Sequence, residues 1–348
     1  MPSTSPDARQ YLKDATYEQQ IRKITQDMEP RIRRAFLAAM ADIKQRAQMG
    51  RLRDALRSND IAGAVDALGI DPGAMVRLQS LIAETYGRSG AATINRGPWG
   101  YTRFNTLSPR SETWIRENAT ALAVELSDEA RALARDTIAD GYAFGRGFDR
   151  IARDLVGRIG PSGRRTGGIV GLDPQSMRWV NNLAGYLEAD PKRALGMKLT
   201  PRDRAFIQRV IARGDRLTAA QIEGILRRYE NTMLMARGMR IARTETINAI
   251  ESGKADAWRE GMEKAGIPDE FLLKKWVHTG RAAIDRPEHE AMSGQVVRGI
   301  ETAFVSPDGI MMRYPHDTTL GAGAEHTINC MCRADYSIDK KGLLEWRA

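Results

Sequence analysis

The sequence predicts a mainly α protein: a helical N-terminal and central body followed by a small α+β module at the C-terminus. Three observations lead there. Apolar residues recur at three- and four-residue steps through most of the chain before Gly266. Helix starts are marked by Ser108-Pro109, Asp173-Pro174, Thr200-Pro201 and the Thr218-to-Gln221 capping box. After Gly266-Ile267-Pro268 the pattern changes to short apolar runs bounded by turn residues. Aromatic residues make up only 6% of the chain, which favours packed helices over a large sheet.

Residues 1–10 read as a loose tail. From about Tyr11 to Gln48 the period is helical, with Ile21, Ile24 and Met28 on one face, a break or new start at Pro30, and Ile32, Phe36, Met40 and Ile43 resuming the stripe. Arg31, Arg33, Arg34, Lys44 and Arg46 decorate the opposite face, expected to be solvated. Residues 51–88 suggest two or three short helices, with Asp71-Pro72 as an N-cap. Gly87 to Pro98 reads as a linker, and Trp99 to Phe104 as an extended aromatic arm.

Ser108-Pro109 opens a helix through Trp114, and Ser127 is expected to cap another through Ala130, Leu133 and Ile138. Gly157 to Gly171 reads as a flexible basic loop whose Arg158, Arg164 and Arg165 are candidate contacts to DNA phosphates. Three capped helices follow. The last leads into a helix from about Asn231 to Lys264, whose Met235, Met239, Ala242, Thr246, Ala249, Gly253 and Ala257 form a stripe suited to close helix packing. These readings divide the chain into 1–98, 99–266 and 267–348.

The net charge is +9 with a pI near 9.7, which suits nucleic acid or an acidic protein surface. No apolar run is long enough for a transmembrane helix, and the N-terminus lacks the apolar core of a signal peptide. Two cysteines one residue apart do not make a secreted disulfide framework, so an intracellular, reducing origin is expected.

All four histidines and both cysteines fall between His278 and Cys332. Residues 271–278 read as a strand, Arg286 to Met292 as a short helix presenting His289, Pro307-Asp308-Gly309 as a turn, Ile310 to Tyr314 as a short strand and Cys332 to Tyr336 as a last edge strand. His289, His326, Cys330 and Cys332 could supply four zinc ligands. The expected reading is nevertheless no cofactor, with the two thiols reduced and the two imidazoles hydrogen-bonded in the core. His289 with Asp285 and Glu288, or Cys330 with His326, could imitate an acid–base or thiol–imidazole pair. Neither has an identifiable orienting third residue, and no enzymatic activity is expected.

The order of features in this segment resembles a known family. A tryptophan strand is followed by Asp285-Arg286-x-x-His289, Ser293-Gly294, a Ser-Pro-Asp-Gly turn, Tyr314-Pro315-x-Asp317 and Ile328-Asn329-Cys330-x-Cys332-Arg333. Upstream stand Arg228-Tyr229 and Ile241-Ala242-Arg243-Thr244-Glu245-Thr246. Together, over roughly residues 100–338, these resemble the Mu F-like minor head proteins of the tailed-phage head-morphogenesis family. The chain departs from the family at Met331, where arginine is usual, at His316, where glycine is usual, and in the extra residues Arg281 to Ile284.

The resemblance implies a virion protein, inside the capsid or at the portal vertex. It implies the portal as first partner, scaffold or major capsid protein behind it, and weak, non-specific contact with double-stranded DNA. The motif residues it singles out are Arg243, Thr244, Glu245, Asp285, His289, Gly294, Tyr314, Pro315, Asn329 and Arg333. The competing reading is a metal-dependent nucleic-acid-processing enzyme built on the His/Cys cluster.

Overall fold

The computed structural model describes residues 6–280 and 286–347, with side chains from Thr16 onward, so Asp285 lies outside the described residues. The mainly α expectation holds. Among the described residues, strands are confined to one central hairpin and to small sheets after Leu272. No helix among them is long and apolar enough to cross a membrane.

Helix α1 spans Pro6–Arg46 without a break, and Pro30 sits inside it rather than at a boundary. Burial of Ile24, Met28, Ile32, Phe36, Met40 and Ile43 along one stripe supplies what the missing Pro30 N–H cannot. Helices α2 (Met49–Arg57) and α3 (Ile61–Asp66) follow. Asp71 caps a short 3₁₀ turn that leads into α4 (Val76–Thr93).

The expected linker at 87–98 is thus mostly helix. Its small residues serve packing: Ser89 donates to the Ile250 carbonyl at 2.8 Å, and a Cβ added at Gly253 would fall 2.5 Å from the Tyr86 carbonyl oxygen. Helix α5 (Pro109–Ile115) is capped by Ser108 as expected. After a π-helical turn, α6 (Ala121–Ala143) carries Ser127 in its interior, where the hydroxyl bonds back to Ala123 instead of capping.

Helix α7 (Phe148–Val156) leads into a two-stranded hairpin, β1 (Arg158–Ile159) and β2 (Arg165–Thr166), so the basic loop has regular structure. Helices α8 (Pro174–Ala189), α9 (Pro191–Ala194) and α10 (Pro201–Arg213) begin at caps Asp173, Asp190 and Thr200. The Thr218–Gln221 box is reciprocal: the Gln221 N–H donates to Thr218 Oγ1 at 3.3 Å, and the Thr218 N–H donates to Gln221 Oε1 at 2.8 Å. It opens α11 (Ala219–Ala265), one continuous helix of 47 residues. Along its stripe, Ala242, Thr246, Ala249, Gly253 and Ala257 are buried, whereas Met235 and Met239 are exposed.

The chain falls into two compact units that do not follow the linear division at 98 and 266. One gathers Met1–Arg33, Leu78–Thr120 and Met239–Ala348, and the other Arg34–Arg77 and Ala121–Gly238. The reason is the long helices: α1, α4 and α11 each contribute residues to both.

In the first unit the module after Gly266 is not a separate domain. Leu272, Ile300 and Leu343 share a core with Ala255, Trp258 and Met262 of α11. Strand β3 (Leu272–Val277) is central in an antiparallel sheet ordered β4–β3–β7, with β4 at Val296–Arg298 and β7 at Arg333–Ile338. Helix α12 (Pro287–Ala291), the hairpin of β5 (Phe304–Val305) and β6 (Met311–Met312), and helix α13 (Ala324–Thr327) fill the connections. Helix α14 (Lys340–Arg347) returns Trp346 to within 5.8 Å of the Phe271 ring.

The second unit holds two charged groups gathered on one glycine turn. Lys44, read as solvated, is buried, and its ammonium donates to the Gly167 and Gly168 carbonyls at 2.7 and 3.1 Å. The Glu230 carboxylate accepts the Gly168 N–H at 2.7 Å. Both grip a backbone that only glycine permits, since Gly168 has φ +76° and a Cβ there would lie 2.3 Å from the Gly157 nitrogen.

Burial pushes the Glu230 carboxyl up from 4.5 to about 7. A raised carboxyl favours the folded state when protonated, so its contribution is full below pH 4.5 and is lost as pH rises to 7. Chemical denaturation should show this unit losing up to about 3 kcal/mol between those limits. Glu230→Gln, which can still accept the Gly168 N–H, should remove the slope. An unchanged slope would mean that Glu230 is not its source.

Candidate metal centre

Both thiols and the His289 imidazole meet in the C-terminal module. Pro287 at the first position of α12 fixes the helix start and carries His289 inward. Cys330 and Cys332 precede β7 in a segment that is not yet a strand. Asn329 has φ +59°, a left-handed conformation asparagine tolerates, and Cys330 and Cys332, two residues apart, bring their sulfurs to the same imidazole. His289 Nδ1 lies 3.4 Å from Cys330 Sγ and 3.6 Å from Cys332 Sγ. These three ligand atoms lie within 4.8 Å of one another, and all three residues are buried. The group could hold a metal ion. Both cysteines are free thiols.

His326 is not part of that group, which corrects the four-ligand set. Instead His289 Nε2 is 3.2 Å from His326 Nδ1, and His326 Nε2 is 3.2 Å from the Asp308 carboxylate. The two rings stack at 5.4 Å. With Nδ1 of His289 facing the sulfurs, the consistent tautomers place a proton on Nε2 of each ring, donated outward along this relay to Asp308. The Ser306 hydroxyl, and after it His326, hold the Asp308 carboxyl below its usual range.

The residue that spacing missed is His278, whose Nδ1 is 3.5 Å from Cys332 Sγ. Its signal was its place directly after β3, two residues beyond the buried Trp276.

The surroundings are built to hold this arrangement. Arg286 donates to the Glu325 and Ile328 carbonyls, both at 2.6 Å, tying the start of α12 to α13. Thr279 donates to the Met331 carbonyl at 2.9 Å. The Trp276 ring stands edge-on to His289 at 5.5 Å. The hydrogen bond from Cys332 pushes the Cys330 thiol down, towards thiolate, while Cys332 itself is held up as the proton-bearing partner.

The other described motif residues hold structural positions in the first unit. Thr244 Oγ1 accepts the Asn329 N–H at 3.0 Å, joining the α11 signature to the Asn-Cys-x-Cys segment. His316 has φ +72°, which explains why glycine suits this position. Its Nε2 is 3.0 Å from the Cys330 carbonyl oxygen. Burial opposes a charge on His316, Cys330 and then Glu245 favour it, and the net shift is upward. Gly294 has φ +89°, and its N–H donates to the Trp276 carbonyl at 2.9 Å. Tyr314 packs between the module's two apolar clusters, and Pro315 is buried beside it. Arg243 approaches Glu29 at 3.8 Å, and Arg333 bonds Glu18 at 2.9 Å.

The candidate DNA contacts lie elsewhere, in the second unit. Arg158 is ion-paired to Glu223, and Arg165 donates to the Gly157 carbonyl at 3.1 Å. Arg164 is exposed. No protein family, curated protein or solved structure matches the chain.

Proposed function

We propose that the chain is a minor head protein of a tailed phage, a virion component in head morphogenesis, whose C-terminal module is stapled by zinc. The observation that supports the zinc staple is the convergence of three buried donors. His289, Cys330 and Cys332 converge with 1%, 1% and 3% of their surfaces exposed. Buried thiol and imidazole donors suit a structural zinc, which takes four protein ligands and leaves no position open for substrate. The fourth ligand we propose is the half-buried His278, whose Nδ1 lies beside Cys332 Sγ at 3.5 Å and would turn towards the other three donors. His326 and Asp308 orient His289 from behind, the usual support of a metal-bound imidazole.

The bond between Thr244 and Asn329 supports the family reading, because it gives both halves of the motif a joint packing role. The portal is the partner we propose, with scaffold or major capsid protein next, and packaged DNA is touched without sequence preference.

Elemental analysis should find one zinc per chain, absent from Cys330→Ser/Cys332→Ser. His326→Ala should keep the stoichiometry and weaken affinity about 10–100-fold. Metal-free protein with unchanged stability would remove the zinc. The head assignment is tested separately, by co-purification with portal from procapsids, and absence from procapsids and virions defeats it. Deleting the module is a poor test, since it strips Leu272, Ile300 and Leu343 from the core they share with α11.

A further inference from the structure

The second unit contains a cleft of about 410 Å³ between α10 and the first turns of α11. Arg202, Arg209, Arg227 and Arg228 line it, against a single carboxylate, Asp203. That carboxylate is already engaged. Arg228 Nε donates to both its oxygens at 2.9 and 3.1 Å, and the Thr200 hydroxyl donates to it at 2.7 Å.

The other three arginines have no carboxylate partner among the described residues. Arg209 donates only to the Ala205 carbonyl of its own helix, at 3.3 Å. Some arginines of this unit meet acids, as Arg237 does with Glu129, Arg158 with Glu223 and Arg53 with Asp149, whereas Arg202, Arg209 and Arg227 gather on one cleft. Four guanidinium groups gathered around one carboxylate repel each other until a further anion enters. The planar fork of arginine fits phosphate oxygens in pairs. The side chain that could best read a base, Gln221, is held by the Thr218 N–H.

We propose that this cleft is a binding site for the phosphodiester backbone of double-stranded DNA, with Arg202, Arg209 and Arg227 as the phosphate contacts. Binding there is independent of sequence and governed by counterion release. The hairpin arginines Arg158 and Arg165 are committed within the protein and contribute little. The inference does not rest on the zinc centre or on the head assignment, and each can fail alone.

The test is fluorescence anisotropy of the full chain with a labelled duplex of about 20 base pairs, from about 50 to 200 mM salt. Arg202→Gln/Arg209→Gln/Arg227→Gln should reduce the slope of log K against log salt by about two to three units. Arg158→Gln/Arg164→Gln/Arg165→Gln, with the same charge removed, should reduce it by less than one. Equal losses in the two variants would show that net charge alone binds DNA and would overturn the site. So would an unchanged slope in the first. Thermal melting checks the fold. If the triple variant melts early, Arg202→Gln alone, at an exposed position, should still cost about one unit. Tight binding of pyrophosphate that DNA fails to displace would overturn the proposal in favour of a small-anion site.

Discussion

Glu251→Ala is expected to destabilise the first unit by roughly 3–5 kcal/mol, the range for breaking a buried ion pair on one side. Glu251 and Lys254 lie one turn apart on α11 and are 2% and 3% exposed. The Lys254 ammonium donates to both Glu251 oxygens at 2.8 and 3.1 Å, and to the Ala334 carbonyl at 2.7 Å. The Ala334 N–H donates to Glu251 at 2.9 Å.

Ala334 belongs to β7, an edge of the sheet. The two side chains therefore act as a short surrogate strand, satisfying the outward backbone groups of that edge. Removing Glu251 strands an ammonium and an amide together. Lys254→Met should cost a similar amount, and the double variant far less than the sum. Urea denaturation followed by tryptophan fluorescence would measure all three. A loss under about 1 kcal/mol for Glu251→Ala would mean that water reaches the site and that the surrogate-strand picture is wrong.

Lys274→Met should be comparably damaging, at least about 3 kcal/mol, because three carbonyls lose their donor at once. Lys274 lies in the central strand with no exposed surface. Its ammonium donates to the carbonyls of Ile300, Thr302 and Arg313 at 2.8, 2.6 and 2.9 Å. It thus ties β3 to the loop after β4 and to the residue after β6.

Burial brings its pKa from 10.5 down to about 8. Between those values the unfolded chain holds the proton more tightly, so stability rises with pH across that window and is flat below it. The wild type should gain about 1–2 kcal/mol between pH 7.5 and 9.5, and Lys274→Met should show no such gain. A gain of equal size in both proteins would assign the effect to another group.

What could be read from the sequence was what depends on near neighbours. The caps at Ser108, Asp173, Thr200 and Thr218 need only a side chain and an amide two or three residues away, and each is in place. The strand at 272–277 and the helix carrying His289 were legible for the same reason.

The failures involve partners distant in sequence. Gly87 to Thr93 has the composition of a loop, yet it is helical because Gly253 and Ser89 let α4 and α11 touch. Lys44 looked like surface charge because the carbonyls that bury it are more than a hundred residues away. At the candidate metal centre, spacing found His289, Cys330 and Cys332 but grouped His326 with them. His326 is near Cys330 in sequence but stands behind His289, while His278, just after β3, lies beside Cys332.

The first unit is assembled from three separated stretches, and this sets the timing of its folding. A bond joins Glu18 to Arg333, and another joins Tyr17 to Thr93. On the ribosome, Met28, Leu81, Ile82 and Tyr86 emerge long before residues 239–348 that complete their unit. At common translation rates that closing stretch takes on the order of ten seconds to appear. Throughout that interval an apolar surface is made but has no counterpart. The residues of the second unit, by contrast, have all been synthesised by Gly238. The nascent chain is therefore a natural client for chaperones, with its need concentrated in the half that finishes last.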